Sequence, residues 1–306
     1  MKDLVAIAML REVARTGSFS GAARALGFSQ PAVSQQMAKL EQRYGAQLVV
    51  RLGGQFVLTP AGTILAQRGA TAIASLAAAE EEIAELNGLS AGRVRLAVFP
   101  SFAATLAPQA LASMSATHPN IEVSMVESRP DAALSALETG DLDIAVLYDY
   151  VDNADAEIEE IPLLFDPVMV VLPRTDPLAQ KPVVALRDLR DRAWISAAYR
   201  SPLPDLCRSV GFEPQIRFTV DSHNAAQGLV AAGLGVALIT RLNLLPMQHP
   251  GVVVRPCTPT LDRRIAAMIS PIARRQPSTR ALMFELQNAV GRYNASLDVE
   301  HPTFSI

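Results

Sequence analysis

The chain has 306 residues, half of them apolar, enough for two or three domains each with a core, which excludes a mainly disordered protein. Its net charge of −3 is unevenly spread: residues 1–68 hold eight Lys and Arg against Asp3, Glu12 and Glu41, a balance of +5 that leaves −8 on the remainder. A basic N-terminal piece on an acidic body suits nucleic-acid contact at one end and argues against it over the rest.

In chain order, residues 3–15 read as a first helix with Leu4, Ile7, Ala8, Leu10 and Val13 turned inward, and Gly17 ends it. Residues 18–40, SFSGAARALGFSQPAVSQQMAKL, read as two short helices meeting at a turn around Gly27 and Phe28. Ala22, Ala25 and Leu26 give the first a small apolar face, as two closely crossing helices need. Ser29 stands at the N-cap position of the second, Pro31 lies in its first turn, and Val33, Met37 and Leu40 are spaced for one buried stripe. The other face carries Gln30, Ser34, Gln35 and Lys39, side chains suited to base edges and, for the lysine, to phosphate. An ordinary helical hairpin is the alternative.

QLVVRLGGQFVLT (47–59) has two short apolar runs around Gly53 and Gly54, the grammar of a β-hairpin. After a helix-turn-helix this is a wing, with Arg51 as its phosphate contact; a structural hairpin with a solvated arginine is the alternative. Pro60 opens a helix to about Leu86, where Leu65, Ile73, Leu76, Ile83 and Leu86 form a broken apolar seam suited to pairing with a second copy. Glu80, Glu81, Glu82 and Glu85 read as a solvated face.

A boundary falls at 87–92, and βα alternation follows: strands at 94–98, 121–127 and 142–147, then PVMVVLP, the Trp194 segment, and strands at 216–220, 236–240 and 263–270, with helices between and a closing helix at about 278–293. This predicts two α/β halves around mostly parallel sheet. Open α/β sheets place ligands at strand ends entering helices. That rule selects Ser101 and Phe102, Tyr148 and Asp149, Ser196, Tyr199 and Arg200, and His223; hydroxyls, helix N-termini and Arg200 favour an anionic group. A turn or cap role is the alternative for each.

The glycines at 228, 233 and 235 come in the wrong order for a dinucleotide fingerprint, and Asp141, Asp143 and Asp149 lack the spacing of a metal loop. Cys207 and Cys257 have no CxxC or Cys/His spacing and read as buried free thiols. No nucleophile elbow, phosphate loop or paired-carboxylate pattern suggests an enzyme, and no cofactor or metal is implied. The opening MKDLVAIAMLREVA interleaves charges with apolar residues, unlike an export signal, and no apolar run suits a bilayer, so the cytoplasm is the expected compartment.

AARALGFSQPAVSQQMAKLE (22–41), QLVVR (47–51) and LTPAG (58–62) together resemble the LysR-type transcriptional regulators, with high specificity across the first 62 residues. GDLDIAV (140–146) and GLGVALI (233–239) are the family-like pieces of the remainder. The resemblance implies a winged helix-turn-helix at 1–59, a dimerising linker helix at 60–88, and a periplasmic-binding-protein-like effector domain at 92–300, with lobe I formed by 92–163 and 267–300 and lobe II by 164–266. It further implies a homodimer or homotetramer on promoter DNA, contact with RNA polymerase, and a small-molecule effector. Position by position, Gln30, Pro31, Ser34 and Gln35 match the recognition segment and Arg51 the wing arginine, while Ser101, residues 147–149, 196–200 and 221–223, including Asp221, match the effector cleft. Val49 stands where the family usually has phenylalanine, and Gly54 where a second wing arginine is common. A two-lobed solute-binding protein is the competing reading.

Overall fold

The computed structural model describes residues 2–86, 92–148, 158–198, 201–271 and 273–300. The N-terminal head consists of α1 (Lys2–Thr16), α2 (Phe19–Leu26), α3 (Gln30–Tyr44) and a hairpin of β1 (Val49–Leu52) and β2 (Gln55–Leu58). Its core joins Met9, Leu10 and Val13 of α1 to the predicted stripe Val33, Met37 and Leu40 of α3. Each such side chain, fully buried, contributes roughly 1.5–3 kcal/mol. On α2 the buried pair is Ala22 and Ala23, with Leu26 packed beside them, while Ala25 is exposed, so the expected apolar face is rotated by less than a quarter turn. The helix is only eight residues long, and two turns leave periodicity little to work with.

The hairpin closes through a two-residue loop, Leu52 pairing with Gln55, with Gly53 and Gly54 at φ 58° and 86°. A turn with both central residues left-handed matches the strand twist and favours glycine, with Asn and Asp the side chains it tolerates best and long ones such as arginine disfavoured. The missing wing arginine at 54 therefore has a backbone cause. Phe56 stacks on Phe19 with ring centroids 4.4 Å apart, and Val49 is buried in the head core, so the smaller residue still packs behind the wing.

The linker α4 (Pro60–Leu86) leans on α1 where Gly69 meets Ile7; a Cβ at 69 would lie 2.2 Å from the Ile7 side chain. Leu65 packs on the head core rather than joining a free seam, and Ile73 is half-buried. Ile64, Leu76 and Ile83 are the large apolar side chains α4 exposes, and the side chain of Leu86 lies outside the described residues. Glu81 is no idle solvated acid. Its carboxylate accepts from Ser278 Oγ at 2.5 Å and from the Arg93 amide at 3.4 Å, tying the linker to the body.

The body contains β3 (Gly92–Val98), α5 (Pro100–Thr117), β4 (Ile121–Glu127), α6 (Pro130–Glu138), β5 (Ile144–Tyr148) and β6 (Glu159–Pro173), followed by β7 (Val184–Ala185), β8 (Ala193–Ala197), α7 (Leu203–Ser209) and β9 (Gln215–Val220). The chain continues with α8 (His223–Ala231), β10 (Val236–Thr240), α9 (Arg241–Leu244), β11 (Val252–Thr258), β12 (Asp262–Ile269) and α10 (Pro277–Glu300). Lobe I is the parallel set β4-β3-β5 with β12 beside it, covered by α5 and α10 on one face and α6 on the other. Lobe II is built on β10, β8 and β9, again parallel, between α7 and α8.

One strand, β6, serves both lobes, and it and β12 run antiparallel to their neighbours, which the mostly parallel expectation did not include. β6 pairs with β12 over 159–167 and with β10 and β11 over 168–173. β11 was not anticipated either, since Pro256 sits within it; its edge position, with only the short β7 beyond, tolerates the missing N–H.

Candidate functional site

The exposed face of α3 begins at Ser29, whose hydroxyl accepts from the Ala32 amide at 3.4 Å and caps the helix. Gln30, Pro31, Gln35 and Lys39 are exposed and Ser34 is half-buried, opposite the stripe that fixes the helix to the head. Glu41, on the same helix, accepts from the Leu48 amide at 2.8 Å and the Val49 amide at 3.4 Å, holding the wing beside α3. Arg51 stands exposed on that wing. A helix free on one face, with amides, a cation and an adjacent basic wing, has the form of a groove-reading element.

In the body, a cavity of about 420 Å³ opens where the two lobes meet. Four of the residues chosen by the strand-end rule and the resemblance come together on its wall: Ser101, Tyr148, Asp221 and His223. Ser196 is buried behind it, donating at 2.9 Å to Ser201 Oγ, and Ser201 lines the cavity. Phe102 is a correction. Its side chain has no exposure and belongs to the lobe I core, because one residue past Ser101 a helix has turned about 100° away. Asp149, Tyr199 and Arg200 lie outside the described residues.

The cavity floor carries a residue that the strand-end rule does not select. Arg263, 8% exposed, donates through Nη2 to Asp166 at 2.6 Å and to Ser101 Oγ at 3.1 Å. Its guanidinium carbon lies 4.8 Å from the Phe99 ring centroid and 4.6 Å from that of Tyr148. Asp166, fully buried, accepts the Leu242 amide at 2.9 Å with its other oxygen. Arg263 and Asp166 are cross-strand partners on β12 and β6, and Asp166 lies where β6 passes from its lobe I pairing to its lobe II pairing, so the pair sits at the junction between lobes. Burial first, and then the charge of Arg263, hold the His223 imidazole below its ordinary pKa, with Asp166 opposing.

A signal for Arg263 existed: two arginines open an apolar strand, and alternation must turn one of them inward. Arg264 is the outward one, paired with Glu160 at 2.5 Å. Its inward neighbour finds its acidic partner 97 residues away, a pairing that local patterns do not reveal. Similarly, Asp143 proves to be the buried partner of Arg95, at 2.7 Å.

Comparison with known proteins agrees at both ends of the chain. The profile of the bacterial regulatory helix-turn-helix protein, lysR family, matches residues 4–63, and that of the LysR substrate binding domain matches residues 87–291. The chain belongs to the LysR family of transcriptional regulators. Members of this family bind DNA through the helix-turn-helix and effectors in the substrate domain. Among LysR relatives, the uncharacterized regulator YvbU of Bacillus subtilis (strain 168) is 26% identical over 277 residues, covering 89% of this chain and 93% of that protein. The hydrogen peroxide-inducible genes activator of Pectobacterium carotovorum subsp. carotovorum is 27% identical over 256 residues, covering 82% and 84%. A full-length OxyR variant from Pseudomonas aeruginosa shares the fold, with a TM-score of 0.73 at 22% identity over 94% of each chain. Among the described residues, no helix is long and apolar enough to cross a membrane.

Proposed function

We propose that this LysR-type regulator works as a cytoplasmic homodimer, or a homotetramer made of two such dimers, whose heads read promoter DNA while a small metabolite bound between the lobes sets their spacing. Ser29, Gln30, Pro31, Ser34, Gln35, Lys39 and Arg51 are the proposed DNA contacts, and Ser101, Tyr148, Asp221 and His223 the proposed effector contacts, with Arg263 added. The observation that carries the effector reading is the cavity of about 420 Å³ floored by the buried Arg263–Asp166 pair at the junction between lobes. A ligand there touches both lobes, so it can prefer one lobe angle over another and shift that equilibrium. The Glu81 tether to Ser278 gives lobe I a handle on the linker helix, and exposed Leu76 and Ile83 supply apolar surface for a second copy. Changed head spacing would alter access of RNA polymerase to the promoter.

The peroxide-inducible relative suggests a rival reading, in which oxidation of a cysteine replaces the metabolite. Thiol oxidation needs an accessible thiolate. Cys207 has no exposure and burial pushes its pKa up to about 11; burial raises that of Cys257 as well. Metabolite binding is therefore favoured over thiol chemistry. DNase footprints on a promoter recovered by genome-wide binding should change with an added metabolite and stay unchanged with peroxide; the reverse pattern would overturn the reading.

A further inference from the structure

We propose that the cleft takes a monocarboxylate with an apolar body, and that Arg263 is the residue that sets this charge. The inference rests on the cleft being the effector site. Arg263 is more than nine-tenths buried, and its Nε is a buried donor with no hydrogen-bond partner among the described residues. Nη2 is already committed to Asp166 and Ser101, and Nη1 makes no hydrogen bond among the described residues, so Nε and Nη1 of this cavity-lining guanidinium are left for a ligand acceptor, which meets Nη1 first. A buried donor without a partner is costly, and an anionic acceptor is the group that compensates it best.

The same pair limits the ligand's charge. Asp166 is fully buried 2.6 Å from Arg263, so the floor is close to neutral before any ligand arrives. One carboxylate can share the guanidinium; a second would have to compete for that same cation, and toward the rim it would meet Asp221 and Asp262, both exposed. Arg129, the other arginine on the cavity wall, is exposed to water and already engaged in an interaction of its own. The walls between are apolar, with Val168, Leu238 and Leu261 facing the hydrocarbon part. A second carboxylate is either desolvated against these apolar walls with no second buried arginine to compensate it, or placed beside the rim acids, so a dicarboxylate is disfavoured in either orientation.

A matched six-carbon series tests this on the full chain by thermal shift: hexanoate, adipate and 1-hexanol at equal millimolar concentration. The expected result is a saturable rise in melting temperature with hexanoate and a smaller rise, or none, with adipate. Arg263→Met alone would strand Asp166, so the informative variant is Arg263→Met with Asp166→Leu, which removes both buried charges together. That double variant should weaken hexanoate by roughly tenfold or more, as expected for loss of a charged hydrogen bond, while leaving 1-hexanol unaffected. Adipate binding as well as hexanoate, or hexanoate binding unchanged in the double variant, overturns the proposal. If Ser201→Trp, which fills the cavity, abolishes those shifts, the cleft reading survives that failure. If no compound shifts the melting temperature, or Ser201→Trp leaves every shift intact, the cleft reading falls and takes the proposal with it.

Discussion

In the head, Lys39 and Arg51 project into solvent beside Gln30 and Gln35, whereas in the body Arg263 and Arg95 are folded against Asp166 and Asp143, two acids almost out of contact with water. An exposed cation acts at a distance and is screened by salt; a buried pair acts over a few ångströms and is not. In the proposed function the head's charge meets a large polyanion from outside, and the body's meets one small molecule admitted inside. Cutting a charge should therefore cost binding in the head and folding in the body.

The largest expected effect tests the body. Asp166→Ala leaves Arg263 buried without a counter-charge and should destabilise the effector domain by about 3–5 kcal/mol. Asp143→Ala should cost less, because the Arg95 side chain is 30% exposed and can turn to water. Urea denaturation of both variants measures the order, and equal losses would break the contrast.

The head gives the next effects. On a duplex selected from random sequence, Gln30→Ala or Ser34→Ala should cost about 1–3 kcal/mol of discrimination between that site and others. Arg51→Ala should instead weaken all duplexes alike and lower the slope of log affinity against log salt by about one. Fluorescence anisotropy across a salt series separates the two behaviours, and an unchanged slope for Arg51→Ala would remove the wing from the contact surface.

How much was readable in the sequence obeys the same division. The head's proposed DNA contacts lie within one helix and one hairpin, so a stripe of Val33, Met37 and Leu40 already says which face is free. The cleft is assembled from α5, β5, α8 and the antiparallel strands β6 and β12, and the strand-end rule recovered Ser101, Tyr148 and His223 because each of them sits at or just beyond the end of a strand. Arg263 escaped that rule because it enters at the start of an antiparallel strand, and the rule concerns the carboxyl ends of parallel ones. Phe102 was drawn in by adjacency, which a helix does not respect.

A smaller effect tests the wing's backbone. Gly54→Arg restores the family's usual cation at a residue with φ 86°, so it should cost about 1–3 kcal/mol of local strain while steepening the salt dependence of DNA binding. Thermal unfolding and anisotropy on the same variant report the two halves; a variant as stable as the parent would mean that the turn had been free to hold the arginine all along.

The smallest expected effect concerns His223, whose imidazole is half-buried beside the cavity and kept below its ordinary pKa by burial and by Arg263. Because the folded chain binds this proton at lower pH than the unfolded chain does, the unfolded state takes up more protons as pH falls through the ordinary histidine range, about 6.5. Stability at neutral pH is thus unaffected by this group and declines below that range, toward the lowered folded value. His223→Asn keeps a polar side chain at the start of α8 and removes the titration, so its urea midpoint should fall less steeply between neutral and mildly acidic pH than that of the parent. Parallel curves would show that the imidazole titrates as it would in water, and would detach it from the charge pair on the cavity floor.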